Sequence, residues 1–176
     1  MIYNPREDSF LLERYVKRCS KGKKVLDVGT GSGIQAISAK EAGAKKVVAC
    51  DINPEAVKIV NEKGIETFRS DLFSNIWDKF DLIIFNPPYL PEDEREDEES
   101  KLVTTGGKKG DEIIVKFIKQ SKEHLNKKGK ILLLISSLTP QKDLIDLINK
   151  LGWAYRVLGE DKFDFETLQV WIIESD

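Results

Sequence analysis

The feature that most limits what this chain can fold into is how its apolar residues are distributed. They come as short runs, KKVLDVG, KKVVACD, IETFR, FDLIIF and GKILLLIS, separated by stretches with helical spacing or helix punctuation. A run as continuously apolar as GKILLLIS must be covered on both faces, which is the mark of a parallel strand. SGIQAISAKEAG carries helical spacing at Ile34, Ile37 and Ala42, with Ser32 near its start and Gly43 as its stop. NPEAVKIVNEKG has Asn53 as N-cap, Pro54 in the first turn, Glu55 placed to suit the helix dipole and Gly64 beyond the end. GDEIIVKFIKQSKEHL sets Ile113, Phe117 and Ile118 on one face, and PQKDLIDLINKLG makes a further helix. WAYRVLGED and FETLQVWIIE close the chain as a pair of strands. Strand–helix alternation with right-handed crossovers predicts an α/β, doubly wound sheet, mostly parallel with an antiparallel C-terminal strand. At 176 residues the expectation is a single domain over residues 1–176.

In such a sheet, ligands bind outside the carboxyl ends of the strands. Asp27 to Gly33, Asp51, Asp71 and Asn86 to Tyr89 should therefore open on one crevice. The formal net charge is −2, without the basic excess of a protein that holds nucleic acid by phosphate neutralisation. A local basic patch would reverse that argument. Cys19 and Cys50 show neither pairing logic nor metal spacing and read as free thiols of a reducing compartment. The N-terminal stretch carries Arg6, Glu7, Asp8, Glu13 and Arg14, so it holds no apolar signal core. No run reaches the roughly 18 to 20 apolar residues of a membrane span, and the expectation is a cytoplasmic protein without membrane contact. One biased segment stands out, the acidic run Glu92 to Glu99. It is either a solvated loop or a surface that meets a basic patch on another protein.

The first run ends in VLDVGTGSGIQA, a glycine-rich turn from strand to helix. A dinucleotide fingerprint needs a small residue three positions after its second glycine, and from Gly31 that position is Ile34. Asp27 stands just before the turn, where a carboxylate repels a pyrophosphate but suits an ammonium group. A second acid, Asp51, ends the next strand 20 residues after Gly31, the place for an acceptor from ribose hydroxyls. The pair points to a nucleoside carrying an amine, of which S-adenosyl-L-methionine is the commonest. The plain alternative is that both acids cap neighbouring helices. In SDLF, Asp71 can accept from an exocyclic adenine amine while the Leu72 N–H donates to the ring. A polar turn residue is the equal reading.

FDLIIFNPPYLPEDE stops a buried strand at Asn86-Pro87-Pro88-Tyr89. Asn-Pro is ordinary turn chemistry, yet these residues also make a holder for a planar amine. Asn86, kept extended by the following proline, can accept from an –NH2 through its side-chain oxygen. The Pro87 carbonyl can accept the second hydrogen, and Tyr89 can stack on the planar group. Two acceptors on one nitrogen turn its lone pair toward a methyl donor. No strong base is needed, because positioning alone supplies on the order of 7 to 11 kcal/mol at best. The single histidine, His124, lies in an amphipathic helix and is read as structural.

Taken together, VLDVGTGSG, ACDINPEA, SDLF and FNPPY resemble the class I S-adenosylmethionine-dependent methyltransferases and their Rossmann-like sheet. More narrowly they resemble the HemK-like protein-(glutamine-N5) methyltransferases. The N-terminal YNPREDSFLLE is similar to the archaeal and eukaryotic release-factor branch, and GGKKGDEI to a further segment of it. The resemblance implies methyl transfer to the glutamine amide of the Gly-Gly-Gln motif of the class 1 translation release factor, a step in translation termination. It implies a cofactor site lined by Ser9, Asp27, Gly29, Thr30, Gly31, Gly33, Asp51, Ile52, Asp71, Leu72 and Asn86. Asn86, Pro87, Pro88 and Tyr89 would hold the glutamine, with Asn86, Pro87 and Tyr89 as the catalytic group.

Bacterial relatives dock their release factor through a helical N-terminal domain that has no counterpart in this sequence, so recognition is expected elsewhere. The branch often works with a small zinc-binding activator subunit on the third-strand edge, here IETFR. A carboxamide –NH2 and the exocyclic amine of adenine or guanine look alike to this motif, so methylation of DNA or RNA is the alternative. The charge, the acidic run and the N-terminal segment argue against it. A protein lysine is a third target, but NPPY suits a planar amine better than a tetrahedral ammonium. An intact Asp51 and Asn86 speak against a non-catalytic partner, and Asp27 and Ile34 against an NAD oxidoreductase.

Overall fold

The computed structural model describes residues 4–88, 105, 107 and 110–175. Seven strands form one sheet in the order β3-β2-β1-β4-β5-β7-β6. They are β1 Lys24–Val28, β2 Lys46–Asp51, β3 Glu66–Arg69, β4 Phe80–Phe85, β5 Leu125–Ser136, β6 Ala154–Lys162 and β7 Thr167–Glu174. Strands β1 to β5 pair in parallel. β7 runs antiparallel to both β5 and β6, as the sequence predicts for the end of the chain. The described helices are α1 Glu7–Cys19, α2 Ile34–Glu41, α3 Pro54–Glu62, α4 Glu112–Ser121 and α5 Lys142–Lys150.

Period-two alternation divides the central strands between two layers of core. Leu26, Val28, Ile83, Phe85, Ile131, Leu133 and Trp171 pack with Ile114, Phe117 and Ile118 of α4 and with Leu144 and Ile148 of α5. Val25, Leu82, Ile84, Leu132, Leu134 and Val170 pack with Leu11, Leu12 and Val16 of α1 and Ala39 of α2. Helices therefore cover both faces, which is why Leu82–Phe85 of β4 and Ile131–Ile135 of β5 are apolar without a break. His124 ends a short 3-10 turn after α4, with its ring stacked on Phe73 at 4.6 Å between centroids. That is the packing role expected of it.

Two local readings need correction. The strand–helix alternation does not pick out α1, whose first turn is charged, yet the helix buries Asp8 and Ser9 beside Leu11, Leu12 and Val16. On α2 the buried face is Gln35, Ala36, Ser38 and Ala39 rather than Ile34, Ile37 and Ala42. Small side chains let this helix settle closely on β1 and β2, while Ile37 packs at its flank beside Val60 and Ile65. The α3 punctuation is as the sequence has it, with the Asn53 side chain accepting from the Glu55 N–H at 2.9 Å and Pro54 in the first turn.

Candidate active site

The strand order reverses between β1 and β4, and their register fixes what meets there. Val28 pairs with both Phe85 and Cys50, so Gly29 and Asn86 are the first residues beyond two adjacent strand ends. Asp51, the last residue of β2, lies in the same row. One strand spacing is about 4.8 Å, so Asp51 and Asn86 stand about 10 Å apart along this edge of the sheet.

The glycine turn is tied down from both sides. The Thr30 N–H donates to the Cys50 carbonyl at 3.0 Å and the Gly33 N–H to the Thr30 carbonyl at 2.8 Å. Gly33 opens α2 with φ +86°, and a Cβ there would meet Val60 Cγ2 at 2.9 Å, so only glycine fits without displacement. Gly29 lies against the Phe85 ring, which is itself 4.4 Å from the ring of Phe117 between centroids.

Asp27 lies beneath this turn, 2% exposed. Its Oδ2 accepts from Thr30 Oγ1 at 2.6 Å and from the Ala36 N–H at 3.1 Å. Burial pushes its carboxyl up to about 7, the two hydrogen bonds work against that, and the charge of Asp51 adds to it. The Asp27 carboxyl thus braces the turn from below through Thr30 and Ala36. Asp51 binds the opposite side, with Oδ2 accepting from the Gly31 N–H at 2.8 Å and Oδ1 from the Asn53 N–H at 2.8 Å. A carboxylate has about four lone-pair positions, so both oxygens retain acceptor capacity.

The turn after β3 is built around Ser70, whose hydroxyl donates to the Leu72 carbonyl at 2.8 Å and accepts from the Asn75 N–H at 2.9 Å. Leu72 takes φ +50° and is buried. Asp71 is exposed and pairs with Lys116 Nζ at 2.9 Å. Cys50, whose thiol is pushed up by burial, donates to the Leu72 carbonyl at 3.4 Å. Ile52 is 51% exposed at the open end of this region.

At the end of β4, Pro87 is buried, and Asn86 and Pro88 are partly so. Asn86 Nδ2 donates to Asp8 Oδ2 at 3.0 Å. Asn86 Oδ1 is buried and has no hydrogen-bond partner among the described residues. A buried acceptor left open costs about 1–3 kcal/mol unless something fills it. Ser9, next to Asp8, is buried, and its carbonyl accepts from Gln35 Nε2 at 2.9 Å. Tyr89 and the acidic run 92–99 lie outside the described residues. Sequence reading gave no role to Asp8 or Gln35. The available signal was position, because Asp8 precedes Ser9 within YNPREDSFLLE.

Among the described residues, the fold collects Asp27, Gly29 to Gly33, Asp51 and Asn86 to Pro88 on one edge, with the Asp71–Leu72 turn beyond β2. An open acceptor, a glycine turn and two acids suit a cationic nucleoside beside a planar amine. They are poorly suited to a pyrophosphate.

The comparisons agree with that chemistry. A Methanocaldococcus jannaschii protein, named as a candidate protein N5-glutamine methyltransferase, is 42% identical over 96% of this chain and 89% of its own length. A release factor glutamine methyltransferase from Borreliella burgdorferi is 36% identical over 76% of this chain, which spans 51% of that relative. Among solved structures, the E. cuniculi Mtq2-Trm112 complex, described as methylating the eRF1 translation termination factor, superposes with a TM-score of 0.82. Its identity is 26%, and 99% of each chain is covered. The methyltransferase small domain matches residues 8–165, and with that span covering every strand but the last one, the chain belongs to this family.

Proposed function

We propose that this chain transfers the methyl group of S-adenosyl-L-methionine to the side-chain amide nitrogen of the glutamine in the Gly-Gly-Gln motif of a class 1 translation release factor. The observation that carries the reading is the buried, open Oδ1 of Asn86 at the end of β4, one strand away from the glycine turn. The names of the similar proteins support the same substrate class.

When bound, S-adenosyl-L-methionine supplies a methyl group on a cationic sulfur. Gly29 to Gly33 give the close backbone approach, Asp51 offers acceptors to ribose hydroxyls, and the ionised Asp27 favours the cationic end. Asp71 and the Leu72 N–H would hold the base, Asp71 exchanging its exposed Lys116 pairing for the adenine amine. Such an exposed pair is worth about 0–1 kcal/mol, so the exchange is easy. Asn86 Oδ1 and the Pro87 carbonyl would each accept one hydrogen of the glutamine –NH2, and Tyr89 is the residue proposed to stack on the amide plane. Held so, the nitrogen presents its lone pair to the methyl carbon. With the methyl supplied by the bound cofactor, the amide nitrogen would gain one methyl and release one proton to water. Pro87 and Pro88 contribute stiffness, because neither backbone can relax away from that geometry.

The reading includes a small zinc-binding partner subunit on the β3 edge. β3 is short and terminal in the sheet, and Phe68 on it and Ile52 beside it are 42% and 51% exposed. An open edge flanked by apolar side chains is the surface that strand addition uses.

The test is a peptide-level mass spectrum of the cognate release factor after incubation with this chain and S-adenosyl-L-methionine, with and without that partner. One added methyl on the Gly-Gly-Gln glutamine is the expected result. Cofactor binding without methylation in either condition overturns the substrate assignment in favour of an exocyclic amine of nucleic acid.

A further inference from the structure

A carboxamide has one accepting end and one donating end, and the torsion that exchanges them is soft. If Asn86 is to accept from a substrate –NH2, something must keep its oxygen forward. Turned by half a rotation it would set donor against donor, and the substrate nitrogen would lose an acceptor.

Asp8 is the group placed to prevent this. It lies in the first turn of α1, 4% exposed, and its Oδ2 is 3.0 Å from Asn86 Nδ2. Carboxylate oxygens only accept, so the –NH2 end of Asn86 must face Asp8, whatever else surrounds the amide. The oxygen then faces the other way, where it is buried and without a partner among the described residues. The carboxylate is held in turn. Its Oδ1 accepts from the Ser9 N–H at 2.7 Å, and the Ser9 carbonyl accepts from Gln35 Nε2 at 2.9 Å. Gln35 sits in the first turn of α2, two residues beyond Gly33, so the glycine turn, α1 and the end of β4 are joined by one buried polar chain. Leu11, Leu12 and Val16 seat α1 in the core and fix its position against β4 and β5.

We propose that Asp8 is a positioning residue for the transfer reaction, which commits the Asn86 –NH2 and so points Asn86 Oδ1 at the substrate amine. The inference rests on the reading of Asn86 as an acceptor from the glutamine amide. Asp8 itself need touch neither substrate nor cofactor.

The test exchanges the two ends of the hydrogen bond. Asp8→Asn, Asn86→Asp and the double variant D8N/N86D are compared with the wild type for kcat on the release factor, cofactor affinity by calorimetry and thermal melts. Asp8→Asn leaves an amide that can donate or accept, so the lock is lost and kcat falls about ten- to a hundredfold. Cofactor affinity stays within about twofold, since this contact is not to the cofactor. Asn86→Asp places two carboxylates against each other and is inactive. In D8N/N86D the new amide at position 8 donates to one oxygen of the new carboxylate at position 86 and leaves the other as an acceptor. Activity then recovers at least about tenfold over N86D.

A wild-type kcat in D8N, or a double variant no better than N86D while both bind cofactor, overturns the proposal. The contact is also read without substitution. The Asn86 side-chain amide protons in 15N-labelled wild type should exchange with water far more slowly than those of an exposed asparagine, and free exchange overturns the proposal even if the variants unfold. A wild type that binds cofactor but methylates no glutamine counts against the substrate reading, while the exchange measurement still decides the Asp8–Asn86 contact.

Discussion

The substitution Asp27→Asn should make the ligand-free protein more stable at neutral and alkaline pH, although it removes a charge from the site. Asp27 is buried, and its carboxyl is raised from 3.8 to about 7, burial being the largest cause. Each pH unit of such a shift corresponds to about 1.36 kcal/mol, so holding the ionised form in the fold costs on the order of 4 kcal/mol. The sign follows from proton uptake. Between about pH 4 and pH 7 the folded state holds the proton that the unfolded state has released, so stability falls as pH rises through this window. Above it the full penalty is present. Asparagine keeps an oxygen where Thr30 Oγ1 and the Ala36 N–H now donate to Oδ2, and it carries no charge to desolvate. Urea unfolding of both proteins at about pH 5, 6, 7 and 8 should show the variant pulling ahead with rising pH, by up to about 4 kcal/mol at the top of that range. Because other groups titrate in both proteins, the difference between them is the quantity to read. A variant equal to or less stable than the wild type at the highest pH would falsify the claim that burial of this charge strains the resting fold.

The same carboxyl gives the proposed cofactor a pH dependence. A cation favours ionised Asp27, so affinity for S-adenosyl-L-methionine should rise about tenfold from about pH 6 to pH 8 and then level off. Asp27→Asn should flatten that rise, and calorimetry at the two pH values checks both statements. Asn86→Ala should abolish transfer while changing cofactor affinity only a few-fold. An equal collapse of binding would make Asn86 mainly a cofactor residue. Gly33→Ala combines a left-handed φ with a Cβ 2.9 Å from Val60 Cγ2 and should cost about 2 kcal/mol or more. That corresponds to a drop of about 4 to 8 °C in the melting temperature.

β4 and the second half of β5 were legible because their apolar runs are buried on both faces, whereas β3 and β6, mostly exposed, rested on their place in the alternation; the Asn53-Pro54 start of α3 needed no tertiary information. The gathering of Asp27, Gly29 to Gly33, Asp51 and Asn86 on one edge of the sheet followed from topology, since residues just past the ends of β1, β2 and β4 share that edge. α2 was misread because its burial depends on close approach. Ala36, Ser38 and Ala39 are buried through small size, which hydropathy periodicity does not register. Asp8 was missed for a related reason. A buried acid next to a buried serine looks like a solvated first turn until Asn86, 78 residues away, is found against it. What Asp27 does under the glycine turn was half visible, since the position was clear in the sequence while its partners Thr30 and Ala36 were not.

The pairing of Val28 with Phe85 and Cys50 has a consequence for how this site behaves in time. β1 and β4 are interior strands of the sheet, and their amides should exchange with solvent only when the whole molecule opens. The glycine turn and Asn86 hang directly from their ends, so the floor of the site has the lifetime of the folded state. Breathing motions at β3 or at the last hairpin leave that floor undisturbed. A protein warmed toward its midpoint should therefore lose cofactor binding together with its global fold rather than before it.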